Sequence, residues 1–212
     1  VDLPLKNFYN LFMSREIELK VPLTDGQFDR IERILRGNET LPSLKTHSLA
    51  HILKSDEYFS LYRTHEERLK NKELRVIRIR TERSPEKFAD AQKSYFCIKR
   101  KTLQNGVEFN AEQETFVENP EVLRSFFEAT GYIKWFEKKK DALGVICALI
   151  GTDFEAHLEL EKVNGLPYIE IEYTKEDLPA DEVRSNLEKI LIELGLDPKL
   201  RDSRSWAEIL GN

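Results

Sequence analysis

Charge recurs at every second residue in segment after segment of this chain, and that alternation restricts the fold more than any other feature. In "REIELK", Arg15 to Lys20, Glu16, Glu18 and Lys20 alternate with Ile17 and Leu19. Successive side chains of a β-strand point to opposite faces, so the charges share one face and the aliphatic groups the other. The spacing returns as Arg78 and Arg80, Lys99 and Lys101, Glu112 and Glu114, and Lys138 and Lys140. It returns again as His157 with Glu159 and Glu161, and as Tyr168 with Glu170 and Glu172. An ordinary solvated sheet face is polar but mixed in type. These faces hold little besides carboxylates, guanidinium groups and ammonium groups. Closed into a barrel with these faces inward, the strands make a charged interior, which is costly unless the charges pair or hold ions.

Eight segments have period two: "EIELKV", "AHILKSDEYF", "ELRVIRIRTE", "SYFCIKRK", "AEQETFV", "WFEKKKD", "HLELEKV" and "YIEIEY". "QNGVEF" and "EKVNGLPYIEIEY" read as hairpins, which makes the sheet antiparallel. Three helices are marked. Thr24 caps one with Phe28, Ile31, Ile34 and Leu35 at helical spacing, stopped by Gly37. Asn119 and Pro120 open a second, stopped by Gly131, and Pro179 precedes a third, stopped by Gly195. A short final helix is expected around Ser205 to Leu210. "TERSPEKFADAQ" reads as a polar loop, and His65 as part of a charged turn.

A chain of 212 residues is one large domain or two small ones, and no stretch rich in Pro, Gly or Ser divides it. One domain over residues 14–212 is expected. Met13 is the only methionine, which suggests a native start there with the twelve residues before it an expression remnant or upstream extension; residues 1–13 are set outside the domain as an N-terminal extension. The net charge of −5 argues against a nucleic-acid partner. The longest apolar patch, Ala142 to Ile150, is too short to span a membrane, so no membrane partner is expected. Cys97 and Cys147 lack zinc-ligand spacing and read as reduced, packed thiols, consistent with a cytoplasmic location. A monomer or a homodimer fits equally.

Paired carboxylates are hard oxygen ligands suited to Mg²⁺ or Mn²⁺. Arg and Lys suit phosphate oxygens, Arg through its two-toothed fork. A cavity holding both matches a polyphosphate and its metal. No glycine-rich phosphate cradle is present, so side chains must supply the contacts. His47 and His51 read as surface residues, while His157 shares a face with Glu159.

The residues carrying these features resemble the CYTH, or triphosphate tunnel metalloenzyme, superfamily. "EIELK" is similar to its ExExK signature. "EYF", the "RIR" strand, "CIK", Glu112 with Glu114, "KKK" and the closing "HLELEKVNGLPYIEIEY" follow in the family's order. "RSWAEIL" is similar to the ending of class IV adenylyl cyclases. The resemblance spans nearly all of Ser14 to Leu210. It implies an α+β fold, an eight-stranded antiparallel β-barrel forming a tunnel with flanking helices, and a divalent metal, Mg²⁺ or Mn²⁺. It implies metal ligation by Glu16, Glu18, Glu170 and Glu172, with Glu114 and Glu161 as supports. It implies triphosphate binding by Lys20, Arg78, Arg80, Lys99, Lys138, Lys140 and Arg204. Tyr58 and Lys99 match a pair proposed to assist water attack, with the Lys99 pKa expected to be lowered by nearby positive charge. The implied activity is hydrolysis of a small-molecule triphosphate such as tripolyphosphate, thiamine triphosphate or a nucleoside triphosphate. A cyclase making cyclic AMP and pyrophosphate from ATP is the alternative, and a non-catalytic polyphosphate or nucleotide binding module a further one. The sequence departs from the family pattern at Ser60, where Asp is frequent, at Glu161, where Asp is common, at Lys138 and Lys140, where Arg often occurs, and at Trp206, where Tyr stands.

Overall fold

A computed structural model describes residues 14–73, 75–86, 92–104 and 107–211. The expected extension over residues 1–13 and the Asn105-Gly106 turn lie outside them, as does part of the "TERSPEKFADAQ" loop.

Eight strands close on themselves. They are β1 (Ser14–Pro22), β2 (Leu44–Ser60), β3 (Arg75–Arg83), β4 (Lys93–Gln104), β5 (Val107–Phe116), β6 (Ile133–Leu149), β7 (Glu155–Val163) and β8 (Leu166–Tyr173). The order round the barrel is β1-β5-β4-β3-β2-β6-β7-β8, returning to β1, and every neighbouring pair is antiparallel. Among the described strands, closure leaves no unpaired sheet edge. The charged alternation faces inward. Register places Lys20 opposite Glu170, Asp56 opposite both Arg80 and Lys138, and Lys99 opposite Glu112.

The outward residues of the same strands are apolar and need cover. The helices α1 (Asp25–Leu35) and α4 (Ala180–Glu193) supply it. Ile17, Leu19, Leu158, Leu160, Ile169 and Ile171 form one buried cluster with Ile31 of α1 and with Leu187 and Ile190 of α4. Each such side chain contributes about 1.5–3 kcal/mol by leaving water. On the opposite wall, Phe127 of α3 (Pro120–Ala129) stacks on Phe59 at 4.7 Å and packs with Ile79.

The predicted stops hold for physical reasons. Thr24 and Gln27 form a reciprocal capping box at the start of α1. Asn164 and Gly165 both take positive φ between β7 and β8, as a two-residue hairpin turn requires.

Three readings are corrected. His65 belongs to a helix, α2 (His65–Lys70), whose Thr64 side chain caps Glu67 N–H. The strand containing "AHILKSDEYF" begins earlier, at Leu44, because a register shift between His47 and Ala50 and a positive φ at Ser48 interrupt its alternation. The strand read as "WFEKKKD" runs on to Leu149 through most of the apolar patch Ala142–Ile150, where Ala142, Val145 and Cys147 are all buried. Gly144 leaves room there for His157, whose Nε2 would lie 3.2 Å from an added Cβ. The final helix, α5 (Trp206–Ile209), is where the sequence places it. Among the described residues, no helix is long and apolar enough to cross a membrane.

Candidate functional site

The barrel encloses a cavity of about 560 Å³. Three clusters hold much of its charge, each centred on one group of opposite sign, while Lys20 and Lys101 pair separately with Glu108. In the first, the Lys99 ammonium lies 3.1 Å from Glu16, 3.3 Å from Glu112 and 3.7 Å from Glu18. In the second, Lys140 meets Glu161 at 2.6 Å, Glu159 at 3.9 Å and bonds Glu170. In the third, Asp56 accepts both arms of Arg80 at 2.8 and 3.1 Å, with Lys138 at 3.6 Å and Arg78 at 3.8 Å. With every group ionised, the three carboxylates on Lys99 leave a nominal −2; those on Lys140 leave −1 once Lys54, which bonds Glu159, is counted; three cations on Asp56 leave +2. Arg78 links the first and third clusters through Glu112 at 3.0 Å and Glu114 at 3.4 Å.

Strand geometry produces this grouping. Glu16 and Glu18 of β1 share a face two residues apart, and Lys99 and Glu112 reach them from β4 and β5. Glu159 and Glu161 of β7 face Glu170 of β8 across one ladder, with Glu159 directly opposite Glu170.

Titration directions follow from crowding. Burial, together with neighbouring carboxylates, pushes Glu16 up to about 7 and Glu18 up to about 8. Burial and Glu170 push Glu161 up to about 8. Burial would raise Asp56 as well, but Arg80, Arg78 and Lys138 outweigh it and hold the carboxyl well below its ordinary value. Burial and Lys140 bring Lys138 down to about 7.

Here the expectation for Lys99 is corrected. Burial alone would lower its pKa, but Glu18, Glu16 and Glu112 outweigh it and hold the ammonium well above its ordinary value. Lys99 faces carboxylates, not the cations that were expected to depress it. Burial and Asp56 likewise raise the Tyr58 hydroxyl, which points at Asp56 Oδ2 at 3.3 Å.

Of the residues singled out in the sequence, Glu16, Glu18, Lys20, Tyr58, Arg78, Arg80, Lys99, Glu114, Lys138, Lys140, Glu170 and Glu172 border the cavity. Glu161 is fully buried behind them against Lys140. Glu172 accepts a hydrogen bond from His157 Nδ1–H at 3.0 Å. Arg204 is placed differently from expectation. Its guanidinium is exposed and bonds Asp202 at 2.7 and 2.9 Å, and only its backbone reaches inward, where the carbonyl accepts Lys20 Nζ at 2.7 Å. Trp206 occupies the position beside it instead. Its Nε1 donates to Glu170 at 2.9 Å, and its ring faces Lys20, Lys138 and Lys140 at 4.8–5.6 Å. Ser60 donates to Glu73 at 2.6 Å, outside the three clusters.

Sequence reading missed Asp56, Lys54 and Glu108. Asp56 and Lys54 share the inward face of β2 with Tyr58, but their mixed signs hide the pattern. Lys54 bonds Glu159, and Glu108 bonds Lys101 at the start of β5, ahead of the segment read as strand.

Divalent-metal chemistry fits these donors. Glu159, Glu161 and Glu170 each offer an oxygen within 4.8 Å of the others, as do Glu112 and Glu114 with the Cys97 thiol. Burial first, and neighbouring carboxylates second, raise the Glu16, Glu18 and Glu161 carboxyls, and a bound dication would favour their ionised form.

This crowding sets a pH dependence. Glu16, Glu18 and Glu161 have folded pKa values above the ordinary 4.5, so the folded state keeps protons that the unfolded chain releases. Their contribution to stability is present below 4.5 and declines as pH rises toward 7–8. With chelator present, the melting temperature should fall between about pH 5 and pH 7, and saturating Mg²⁺ should reduce that fall. A flat or rising melting temperature over this window would contradict the crowding.

No protein-family model matches the sequence, and no curated protein matches it. Solved structures do resemble it. The PH1819 protein of Pyrococcus horikoshii superposes with a TM-score of 0.67 at 21% identity, covering 92% of this chain and 97% of that one. The PH1012 protein of the same organism gives 0.63 at 22%, covering 91% and 98%. A candidate adenylate cyclase from Vibrio parahaemolyticus gives 0.63 at 18%, covering 94% and 99%. Over nine-tenths of its length, this chain has the fold of those three proteins.

Proposed function

We propose that the barrel binds a small-molecule triphosphate together with Mg²⁺ or Mn²⁺ and hydrolyses it, as the resemblance to the triphosphate tunnel metalloenzymes implies. The observation that carries the reading is the division of the cavity into two clusters of excess negative charge and one of excess positive charge. The cation cluster, Arg78, Arg80 and Lys138, matches phosphate oxygens. Lys20 and Lys140 extend it towards Trp206. Phosphoryl transfer is served mainly by positioning and charge neutralisation, which these side chains supply.

Glu16, Glu18, Glu170 and Glu172 would hold the metal, with Glu114 and Glu161 in support. A bound dication supplies charge neutralisation on the phosphate oxygens. Lys99 serves here as a fixed ammonium that holds Glu16 and Glu18 in place, and Tyr58 as a hydroxyl donor beside Asp56.

A parallel assay tests the reading. Tripolyphosphate, thiamine triphosphate and ATP are offered with Mg²⁺ or Mn²⁺, and orthophosphate, pyrophosphate and cyclic AMP are read. Orthophosphate that disappears on Glu16→Ala is the expected result. Cyclic AMP with pyrophosphate would replace hydrolysis by the cyclase reading, which the "RSWAEIL" ending favours by seating Trp206 against the phosphate-facing lysines. Tight binding without any product would leave a binding module.

A further inference from the structure

Each of the four carboxylates assigned to the metal is oriented by a donor. Glu16 accepts from Lys99 at 3.1 Å, Glu18 from the Asn110 side-chain amide at 3.2 Å, and Glu172 from His157 at 3.0 Å. Those three donors sit on barrel strands. Glu170 is held from two sides. Its Oε2 bonds Lys140 of β6, and its Oε1 accepts the Trp206 indole N–H at 2.9 Å from α5, outside the sheet.

The same indole meets the phosphate-facing cations. Lys20 and Lys138 lie 4.8 and 4.9 Å from its ring and Lys140 5.6 Å, within the reach of cation–π attraction. Three contacts fix its placement. Tyr168 meets the ring edge-on at 4.8 Å, Ser205 and Glu208 form a capping box at the start of α5, and the adjacent Ala207 packs with Tyr58, Trp135 and Phe136. An indole N–H is a donor only, whereas each carboxylate oxygen accepts through two lone pairs. Oε1 of Glu170 therefore keeps a lone pair for a dication while it accepts from Trp206. The indole has two separable parts, an N–H directed at Glu170 and a ring face directed at the lysines.

We infer that Trp206 is a positioning residue that couples the metal ligands to the phosphate-binding lysines: its N–H sets the orientation of Glu170, and its ring face sets Lys20 and Lys138. The inference rests on the triphosphate reading above and deepens it. A role in packing alone makes a different prediction, because Phe would then serve as well as Trp.

The test titrates the full chain, Trp206→Phe and Trp206→Ala by calorimetry, with Mg²⁺ alone and with tripolyphosphate in chelator. Melting temperatures are measured alongside. Trp206→Phe keeps a ring face and removes the N–H. Its Mg²⁺ affinity should fall at least about tenfold, as removal of a donor behind a metal ligand typically does. Its tripolyphosphate affinity in chelator should change less than about threefold, since Phe still offers a ring face. In Trp206→Ala both affinities should fall, that for tripolyphosphate at least about fivefold below the Phe variant. Unchanged Mg²⁺ affinity in Trp206→Phe would overturn the inference, as would equal loss of both affinities with a lowered melting temperature, the mark of a structural role. Failure of the unaltered protein to bind Mg²⁺ while it binds tripolyphosphate would overturn the inference alone. No tripolyphosphate binding by the unaltered protein, with Mg²⁺ or with chelator, would overturn the triphosphate reading and the inference together.

Discussion

Asp56→Asn should destabilise the fold by about 3–5 kcal/mol, the typical cost of stripping one partner from a buried ion cluster. Asp56 is completely buried, and Arg80, Arg78 and Lys138 all converge on it. Asn keeps the shape but removes the charge that compensates three cations. Urea unfolding gives the magnitude. Tripolyphosphate should then raise the melting temperature more in the variant than in the unaltered protein, because the anion restores the missing negative charge. A loss below about 1 kcal/mol would mean that water, and not Asp56, solvates these cations.

The other large effect is opposite in sign for stability and for function. Burial raises the Glu18 pKa to about 8, and Glu108 and Glu170 add to the rise. Glu18→Gln removes a crowded charge while keeping an oxygen that can accept the Asn110 side-chain amide, now at 3.2 Å from Glu18. Lys99 retains Glu16 and Glu112. Near pH 8, without metal, the variant should therefore melt no lower than the unaltered protein. Its metal affinity should fall by at least about 10²-fold, since even residues behind the ligands typically cost 10–100-fold. A marked loss of stability with metal affinity retained would assign Glu18 a structural role.

The barrel was legible because its inward face is so uniformly charged. "EIELK", "RIR" and "EIE" state the strand period and the direction of the pleat in a few residues, and Thr24, Asn119 and the Asn164-Gly165 turn mark the connections. What escaped did so for local reasons. The bulge near Ser48 shifts the alternation of β2 by one step, so its first half reads as loop. The short α2, "HEERLK", carries no apolar stripe. Asp56 sits between Lys54 and Tyr58 on one face, and no run of like charge announces it.

Partnering was harder to read than position. Sequence spacing shows that Lys99 points inward, but not that it lands among Glu16, Glu18 and Glu112 instead of among arginines. That depends on the order β1-β5-β4, which brings the carboxylates of two strands to one lysine. Arg204 fails for a similar reason. Asp202, two residues away, captures its guanidinium at the surface, and the indole of Trp206 takes the inward place.

The central claim is that these three clusters are complementary to a triphosphate and a dication together. Calorimetric titration of tripolyphosphate into the full chain, with Mg²⁺ and then with chelator, addresses it most directly. The account predicts one site per chain, at least about tenfold tighter with Mg²⁺, and weakened by added salt. Binding indifferent to Mg²⁺, or no binding in either condition, would contradict it.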